Sequence, residues 1–367
     1  MKTNADDWMM DRSEKQVICP SNGATEPGTT TRADWATVPS IFGKGRRYQS
    51  LSQYLKTRFG EPVQGITLDA GFTCPNVDGT ITTGGCVYCD NRSFSPNRRL
   101  PRATITQQID RGLEILQHRY GAKKFFAYFQ AGTNTYGSLS KLKKLFDEAV
   151  HHPKIMGLAV GTRPDCVPDE VLDLLESYGE KGPVWLELGL QTIHDRSLEW
   201  MNRGHGVDAF FDAIDRCRNR RLELTTHVIL GLPGESREDM LATADTLARL
   251  PIHSIKIHNL YVVRKTPLEK MYLAGEVPMM EMEDYAELVC DFLERVPPRC
   301  VIHRLAGDSP PDYLVAPLWC LDKQKLLRRI DEAFLKRDSW QGKHWREMGS
   351  HTENRPRRSR SSLPVIE

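Results

Sequence analysis

Residues 74–89 read Cys74-Pro-Asn-Val-Asp-Gly-Thr-Ile-Thr-Thr-Gly-Gly-Cys86-Val-Tyr-Cys89, three cysteines in one Gly/Thr-rich loop, separated by eleven residues and then by two. The two-residue spacer lets a tight turn point Cys86 and Cys89 at one metal centre. Gly84 and Gly85 permit the backbone angles that a loop needs to wrap it. The next cysteine, Cys166, lies far along the chain. A site built only to hold a metal closes its coordination with four protein ligands. Three thiolates on a four-iron cluster leave one iron open to a small molecule. The residues alone leave a zinc knuckle, a C-x-x-C redox pair and a chance grouping standing beside the cluster reading.

Composition sets the bounds. With 367 residues there is room for one large domain with extensions, or two. Hydrophobic content is 40% and charged content 27%, as in a globular protein that lives in water. A net charge of +2 does not announce a nucleic-acid binder, so any basic footprint must be local. Nine cysteines make an odd count without disulfide spacing. No apolar run approaches the roughly 20 residues of a membrane span. The start is polar, with Asp6, Asp7 and Asp11 where a signal or transit peptide would be apolar or basic. A reducing cytoplasm is the expected compartment, with no membrane partner. Residues 1–42 read as a disordered lead in which Cys19 is incidental, with order beginning near Tyr48.

Downstream, strands recur about every thirty residues with helices between. Strands are expected at Gly65–Ala70, Lys124–Gln130, Ile155–Gly161, Val184–Leu190, Leu222–Leu230 and Ser254–Tyr261. Val301–Leu305 is a candidate for one more. Helices are expected at Leu51–Phe59, Ile105–Tyr120, Leu139–Val150, Pro168–Tyr178, Val207–Arg218, Ser236–Leu250, Met282–Arg295 and Lys323–Lys336. This alternation implies parallel strands with helical crossovers. A fully buried parallel strand reads as continuously apolar. Here Tyr128 and Gln130, then Glu187, Gly189 and Gln191, then Ser254, Lys256 and His258 each share one strand face. Those polar faces must look at something wet or ionic. The expected fold is therefore α/β, a partial (β/α)6 TIM-type barrel over about 62–275, with its site at the C-terminal strand ends. The core is expected over 43–340 and a basic disordered tail over 341–367.

The cysteine triad, with Tyr88 between its last two members, resembles the radical S-adenosylmethionine (SAM) superfamily. Its wide first gap is similar to the subgroup related to the Elongator catalytic subunit, and most of all to bacterial YhcC/YtqA-type proteins. The resemblance runs from about Arg47 to Trp340 and implies that Cys74, Cys86 and Cys89 bind a 4Fe-4S cluster. It also implies that the open iron chelates SAM, that a reduced flavodoxin- or ferredoxin-type donor supplies electrons, and that tRNA is the substrate. Five further segments carry it, each at an expected strand end, the last being Lys265-Thr-Pro-Leu268 after the sixth strand. Gln130-Ala-Gly-Thr-Asn-Thr-Tyr136 stands where the superfamily binds the methionine amino group, which assigns Gln130, Thr133 and Asn134 to that task. Gly161-Thr-Arg-Pro-Asp165 offers Arg163 as a fork for the SAM carboxylate or a substrate anion, with a structural Arg–Asp pair as its other reading. Leu186-Glu-Leu-Gly-Leu-Gln-Thr192 offers Glu187 and Gln191 to ribose and adenosyl, Glu187 having a buried salt bridge as its other reading. His227-Val-Ile-Leu-Gly-Leu-Pro-Gly-Glu235 places Gly231 and Gly234, with Tyr88, against adenine.

His227, Lys256 and His258 are the candidate catalytic groups, Lys256 as a holder of anionic substrate; a strand histidine serves more often as a satisfied core residue. Small-molecule or protein substrates stay open. From a different class, so does a non-catalytic RNA-binding module with zinc on the three cysteines.

Overall fold

A computed structural model describes residues 38–346 of the chain; the expected lead through position 37, with Cys19, and the arginine-rich tail from 347 lie outside the described residues. Local capping fixes the first helix. The Gln53 amide donates to the Ser50 hydroxyl, α1 runs Leu51–Phe59, and Gly60 ends it in the left-handed conformation. The chain then alternates: β1 Val63–Leu68, short α2 Asn91–Phe94, α3 Ile105–Tyr120, β2 Lys124–Phe129, α4 Leu139–Val150, β3 Ile155–Thr162, α5 Asp169–Ser177 and β4 Val184–Gln191. It continues with α6 Asp195–Trp200, α7 Val207–Cys217, β5 Glu223–Leu230, α8 Arg237–Leu247 and β6 Ser254–Asn259. It ends with β7 Val262–Val263, α9 Pro267–Leu273, α10 Met282–Arg295, β8 Val301–Arg304, β9 Leu314–Ala316 and α11 Lys323–Lys336.

Seven strands form one sheet in the order β1-β2-β3-β4-β5-β6-β8, every neighbouring pair parallel. This is the curled α/β half-barrel expected from the sequence, with one correction. The sheet does not stop near 275, because β8 pairs with β6 after a helical excursion through α9 and α10. The outer apolar faces carry the main core, with Ile109, Phe146, Leu172, Phe210 and Leu288 from the helices packed on residues such as Phe129, Leu186 and Ile257. At the N-terminal strand ends the inward residues Val63, Phe126, Ala159 and Trp185 pack with Leu55 of α1, which stoppers that end of the barrel. Phe126 stacks on Trp185 at 4.3 Å.

Both expected edges of the ordered core move outward. Phe42, which the sequence reading left in the lead, is fully buried. Gln341, which it left in the tail, is a buried clip: its side chain accepts from the Gln49 amide at 2.9 Å and donates to the Pro297 and Cys300 carbonyls at 2.7 and 2.8 Å. The Ile302 amide in turn donates to the Gln49 carbonyl, which covers the free edge of β8. Sequence reasoning missed the β7–β9 ribbon, whose strands are too short to show a period.

One glycine tests the packing. A Cβ at Gly157 would lie 2.5 Å from the Phe126 ring and 2.6 Å from the Pro183 carbonyl oxygen. Gly157→Ala is expected to lower unfolding stability by about 1–3 kcal/mol through overpacking. Urea melts read this directly, and an unchanged midpoint would contradict the close approach.

Candidate active site

The cysteine loop follows β1 and is held from outside by the turn after α6. Asn76, fully buried, donates to the Asn202 and Arg203 carbonyls at 2.6 and 2.7 Å. Asn202, at φ 54°, donates back to the Thr83 and Gly85 carbonyls. The Val87 amide donates to the Met201 carbonyl. Gly204 has φ 74°, and a Cβ there would lie 2.3 Å from Asn76 Oδ1, so the turn approaches the loop as only glycine allows.

The same elements aim donors at the cysteine sulfurs. Arg203 and Asn76 each reach Cys86 Sγ at 3.7 Å, and Arg163 reaches Cys74 Sγ at 3.9 Å. Arg203 also donates to the Gly189 carbonyl at 2.8 Å, and a Cβ at Gly189 would strike its guanidinium. That crossing explains the glycine in the Glu-Leu-Gly-Leu-Gln segment. Cys89 is the exposed member of the three, yet desolvation, followed by the neighbouring Cys86 and Cys74 sulfurs, pushes its thiol up to about 12. A cationic iron core removes that cost, and N–H donors and arginines around sulfur suit the anionic cluster that results. The donor set therefore fits a cluster. Among the described residues no three His, Cys, Asp or Glu side chains form a group ready for a single metal ion. Cys166 comes close to Cys74 in space, but burial holds its thiol up and it donates to Asp165.

The other strand-end segments assemble around this loop. The Thr133 amide donates to the Thr73 carbonyl, and the Gly132 backbone passes so close to Phe72 that a Cβ would meet its oxygen at 2.5 Å. Asn134 is buried and donates to the Gly161 carbonyl at 2.8 Å, and its Oδ1 has no partner. Gln130 turns aside and donates to the Phe94 carbonyl at 2.7 Å. Gln191 sits at the end of β4 with φ 75°, a conformation a non-glycine residue rarely holds. Tyr88 packs against the apolar cluster to which Val87, Ile229 and Leu232 belong.

Two expected ligands turn out to be engaged within the protein. Arg163 is 2% exposed and its fork lies on Asp165, at 2.9 and 2.7 Å, where a SAM carboxylate or substrate anion was expected. Glu187 is 2% exposed and meets Lys256 with both oxygens at 2.6 Å. Tyr128 donates to Glu187 at 2.6 Å, and His227 lies 3.1 Å from it. These are residues of β2, β4, β5 and β6, and they meet inside the barrel. The polar strand faces therefore look at one another, as an ionic layer below the cysteine loop. Burial alone would raise the Glu187 carboxyl, but Lys256 and then His227 outweigh it and hold it well below the usual carboxylate range. His258 stacks on His227 at 5.7 Å, its Nε2 has no partner, and burial pushes its pKa down. Sequence reasoning missed Arg203 and Asn76; an Asn two residues after the first cysteine was the only visible signal.

The radical SAM superfamily profile matches residues 79–247, and the radical SAM C-terminal domain profile matches 252–336. The YtqA protein of Bacillus subtilis (strain 168) is 36% identical over 306 residues, which is 83% of this chain and 94% of YtqA. The chain belongs to the radical SAM superfamily. It is a radical SAM enzyme whose cofactors are a 4Fe-4S cluster and SAM. The tRNA uridine(34) acetyltransferase of Dehalococcoides mccartyi (strain CBDB1) is 30% identical over 186 residues, half of this chain and 39% of that protein. Among solved structures, the archaeal Methanocaldococcus infernus Elp3 superposes with a TM-score of 0.58 at 18% identity, over 76% of this chain and 64% of that one, and so shares the fold. Among the described residues no helix is long and apolar enough to cross a membrane.

The ionic layer gives a signed prediction. Because the Glu187 carboxyl is depressed on folding, the stability it contributes is present above the ordinary glutamate pKa and is lost as pH falls through the folded value. Lys256→Met leaves a buried carboxylate without its main partner and is expected to cost about 3–5 kcal/mol at neutral pH. The unpaired carboxyl then titrates high, so the variant gains stability on mild acidification, opposite to the parent. Adding Glu187→Gln should recover much of the loss. Denaturant melts across pH check both signs.

Proposed function

We propose that this radical SAM enzyme holds its cluster on Cys74, Cys86 and Cys89 and acts on tRNA, modifying the wobble uridine. The observation that carries the cluster assignment is the set of donors on the sulfurs, Arg203 and Asn76 on Cys86 and Arg163 on Cys74. When bound, the cluster supplies one electron that breaks SAM into methionine and a 5′-deoxyadenosyl radical able to take hydrogen from substrate. The chain's own residues bind and shield. Tyr88, Gln191 and the backbone of the Gly231–Gly234 turn hold the adenosyl end; Tyr88 packs on the apolar cluster that includes Leu232 of that turn, and Gln191 ends β4 at φ 75°. Thr133 and Asn134 fix the neighbouring turn for the methionine end, with the buried Asn134 Oδ1 as an unused acceptor. Arg163 acts through Asp165 and Cys74, and Glu187 through Lys256, as positioning residues. His258, its pKa pushed down by burial, offers Nε2 as a proton acceptor inside the bowl. The tRNA reading is supported by the likeness to a protein named a tRNA uridine(34) acetyltransferase. A reduced flavodoxin- or ferredoxin-type protein in the cytoplasm is the expected electron donor.

Anaerobic protein reduced in the presence of SAM and tRNA from cells lacking it should release 5′-deoxyadenosine and change the nucleoside profile at the wobble position. Cys86→Ser should lose iron and both products, whereas Cys166→Ser should keep iron. SAM cleavage with no altered nucleoside would refute the tRNA assignment alone. Arg203→Met removes a cation beside the cluster and is expected to lower its reduction potential, measured by potentiometric titration.

A further inference from the structure

The residues outside the cysteine loop form a rim with an uncommon charge pattern. The β7–β9 ribbon carries Arg264 beside Tyr313, the Arg264 amide donating to the Tyr313 carbonyl at 2.8 Å. Across from it, the Arg99 guanidinium lies over the Tyr313 ring, 5.8 Å from its centroid. Beyond Arg264 the chain turns at Lys265, held at φ 65°, into α9. An open groove of about 580 Å³ lies there, lined by one segment, Lys265, Thr266, Pro267, Glu269, Lys270 and Met271. The groove is tied to the cysteine loop, because the Leu268 amide of α9 donates to the carbonyl of Val87, between Cys86 and Cys89, at 2.9 Å.

Three of the neighbouring acids are engaged, while Asp312 stands exposed next to Tyr313. Asp90 is bridged by Arg92 at 2.8 Å and Asp69 by Arg98 at 2.8 Å, while the Glu269 carboxylate accepts from the Lys265 amide at 2.7 Å. Lys265 adds its attraction to Asp90 from a distance. Among the described residues none of Arg99, Arg264, Lys265 and Lys270 has a salt-bridge partner. On a chain with a net charge of only +2, one arginine on the Tyr313 ring and three more cations along 264–270 are a local feature.

We propose that Arg99, Tyr313, Arg264, Lys265 and Lys270 form the RNA-docking rim of the enzyme, the cations following the phosphodiester backbone of a single-stranded loop and Tyr313 stacking one of its bases. The physical pattern is that of single-strand binders, where a basic groove tracks phosphates and an aromatic face takes a base of any kind. The arginine already over Tyr313 adds a cation–π contact to that platform. The link from α9 to Val87 places a docked loop beside the cysteine loop, so an unstacked base could enter the bowl from the rim. This inference rests on the reading of the substrate as RNA and adds where the RNA is held.

The test is the binding of a fluorescently labelled, unmodified anticodon stem-loop RNA to the anaerobically prepared full chain, by anisotropy at several salt concentrations. Arg264→Glu with Lys270→Glu should weaken binding about tenfold or more and reduce the slope of log K against log salt by about 1.4, two lost phosphate contacts on a single strand. Tyr313→Ala should weaken binding at every salt concentration with the slope unchanged, and Tyr313→Phe should restore it. Lys325→Glu with Arg328→Glu, on the exposed face of α11, is the control and should bind as the parent does. Iron content and thermal melts confirm that each variant is folded and loaded. Parent-like binding by both rim variants overturns the rim, and does so alone if the α11 control is the one that weakens. No binding by the parent overturns the RNA reading with it.

Discussion

The carboxylate of Glu187 cannot stay ionised at only 2% exposure unless a cation and hydrogen-bond donors reach it, and two of the strands that supply them do not adjoin its own. Lys256 comes from β6 and Tyr128 from β2, each two strands away from β4. A flat sheet would keep these side chains far apart, so the contact requires the sheet to curl. The curl in turn produces an inside with a closed end and an open end. Apolar Phe126 and Trp185 with α1 fill the closed end, the ionic layer forms the floor, and the cysteine loop lies at the open end.

Over this bowl the chemistry depends on the grip of one turn on one loop. Asn202, Arg203 and Gly204 follow α6, and the loop they hold follows β1, so the grip spans the half-barrel from its first strand to the segment after its fourth. It makes one rigid unit of the sulfurs, their donors and the end of β4. A loop so rich in glycine would otherwise spend much of its time in shapes that separate the thiols. The donors also set the electrostatics, since Arg203 and Arg163 bring positive charge to thiols whose mutual repulsion is visible at Cys89.

Much of the fold was legible because strand and helix periods differ and repeat. Helices Ile105–Tyr120, Leu139–Val150 and Met282–Arg295 stand at the boundaries read from the sequence. The helix expected over Ser236–Leu250 is shorter, because Ser236 caps it and it ends at Leu247. The polar alternation of β2, β4 and β6 correctly signalled a curved sheet, but a one-dimensional pattern could not say that the polar faces satisfy one another. For that reason Glu187 and Lys256 were read first as ligand contacts, with a buried salt bridge as the other reading of Glu187, and they pair with each other. Arg163 makes the Arg–Asp pair that was its other reading, since its acid partner lies two residues on and both readings share one motif. Arg203 escaped the sequence, and Asn76 showed only by its place two residues after Cys74, because the contacts of Arg203 with Cys86 and of Asn76 with the Arg203 carbonyl span more than a hundred positions.

The central claim is that this loop presents three thiolates to a four-iron cluster and leaves one iron for SAM. Mössbauer spectra of iron-57-loaded protein, recorded with and without SAM, test it most directly. The account predicts that a single iron site separates from the other three when SAM is added. Iron sites that remain alike and unmoved by SAM, or zinc in place of iron, would contradict it.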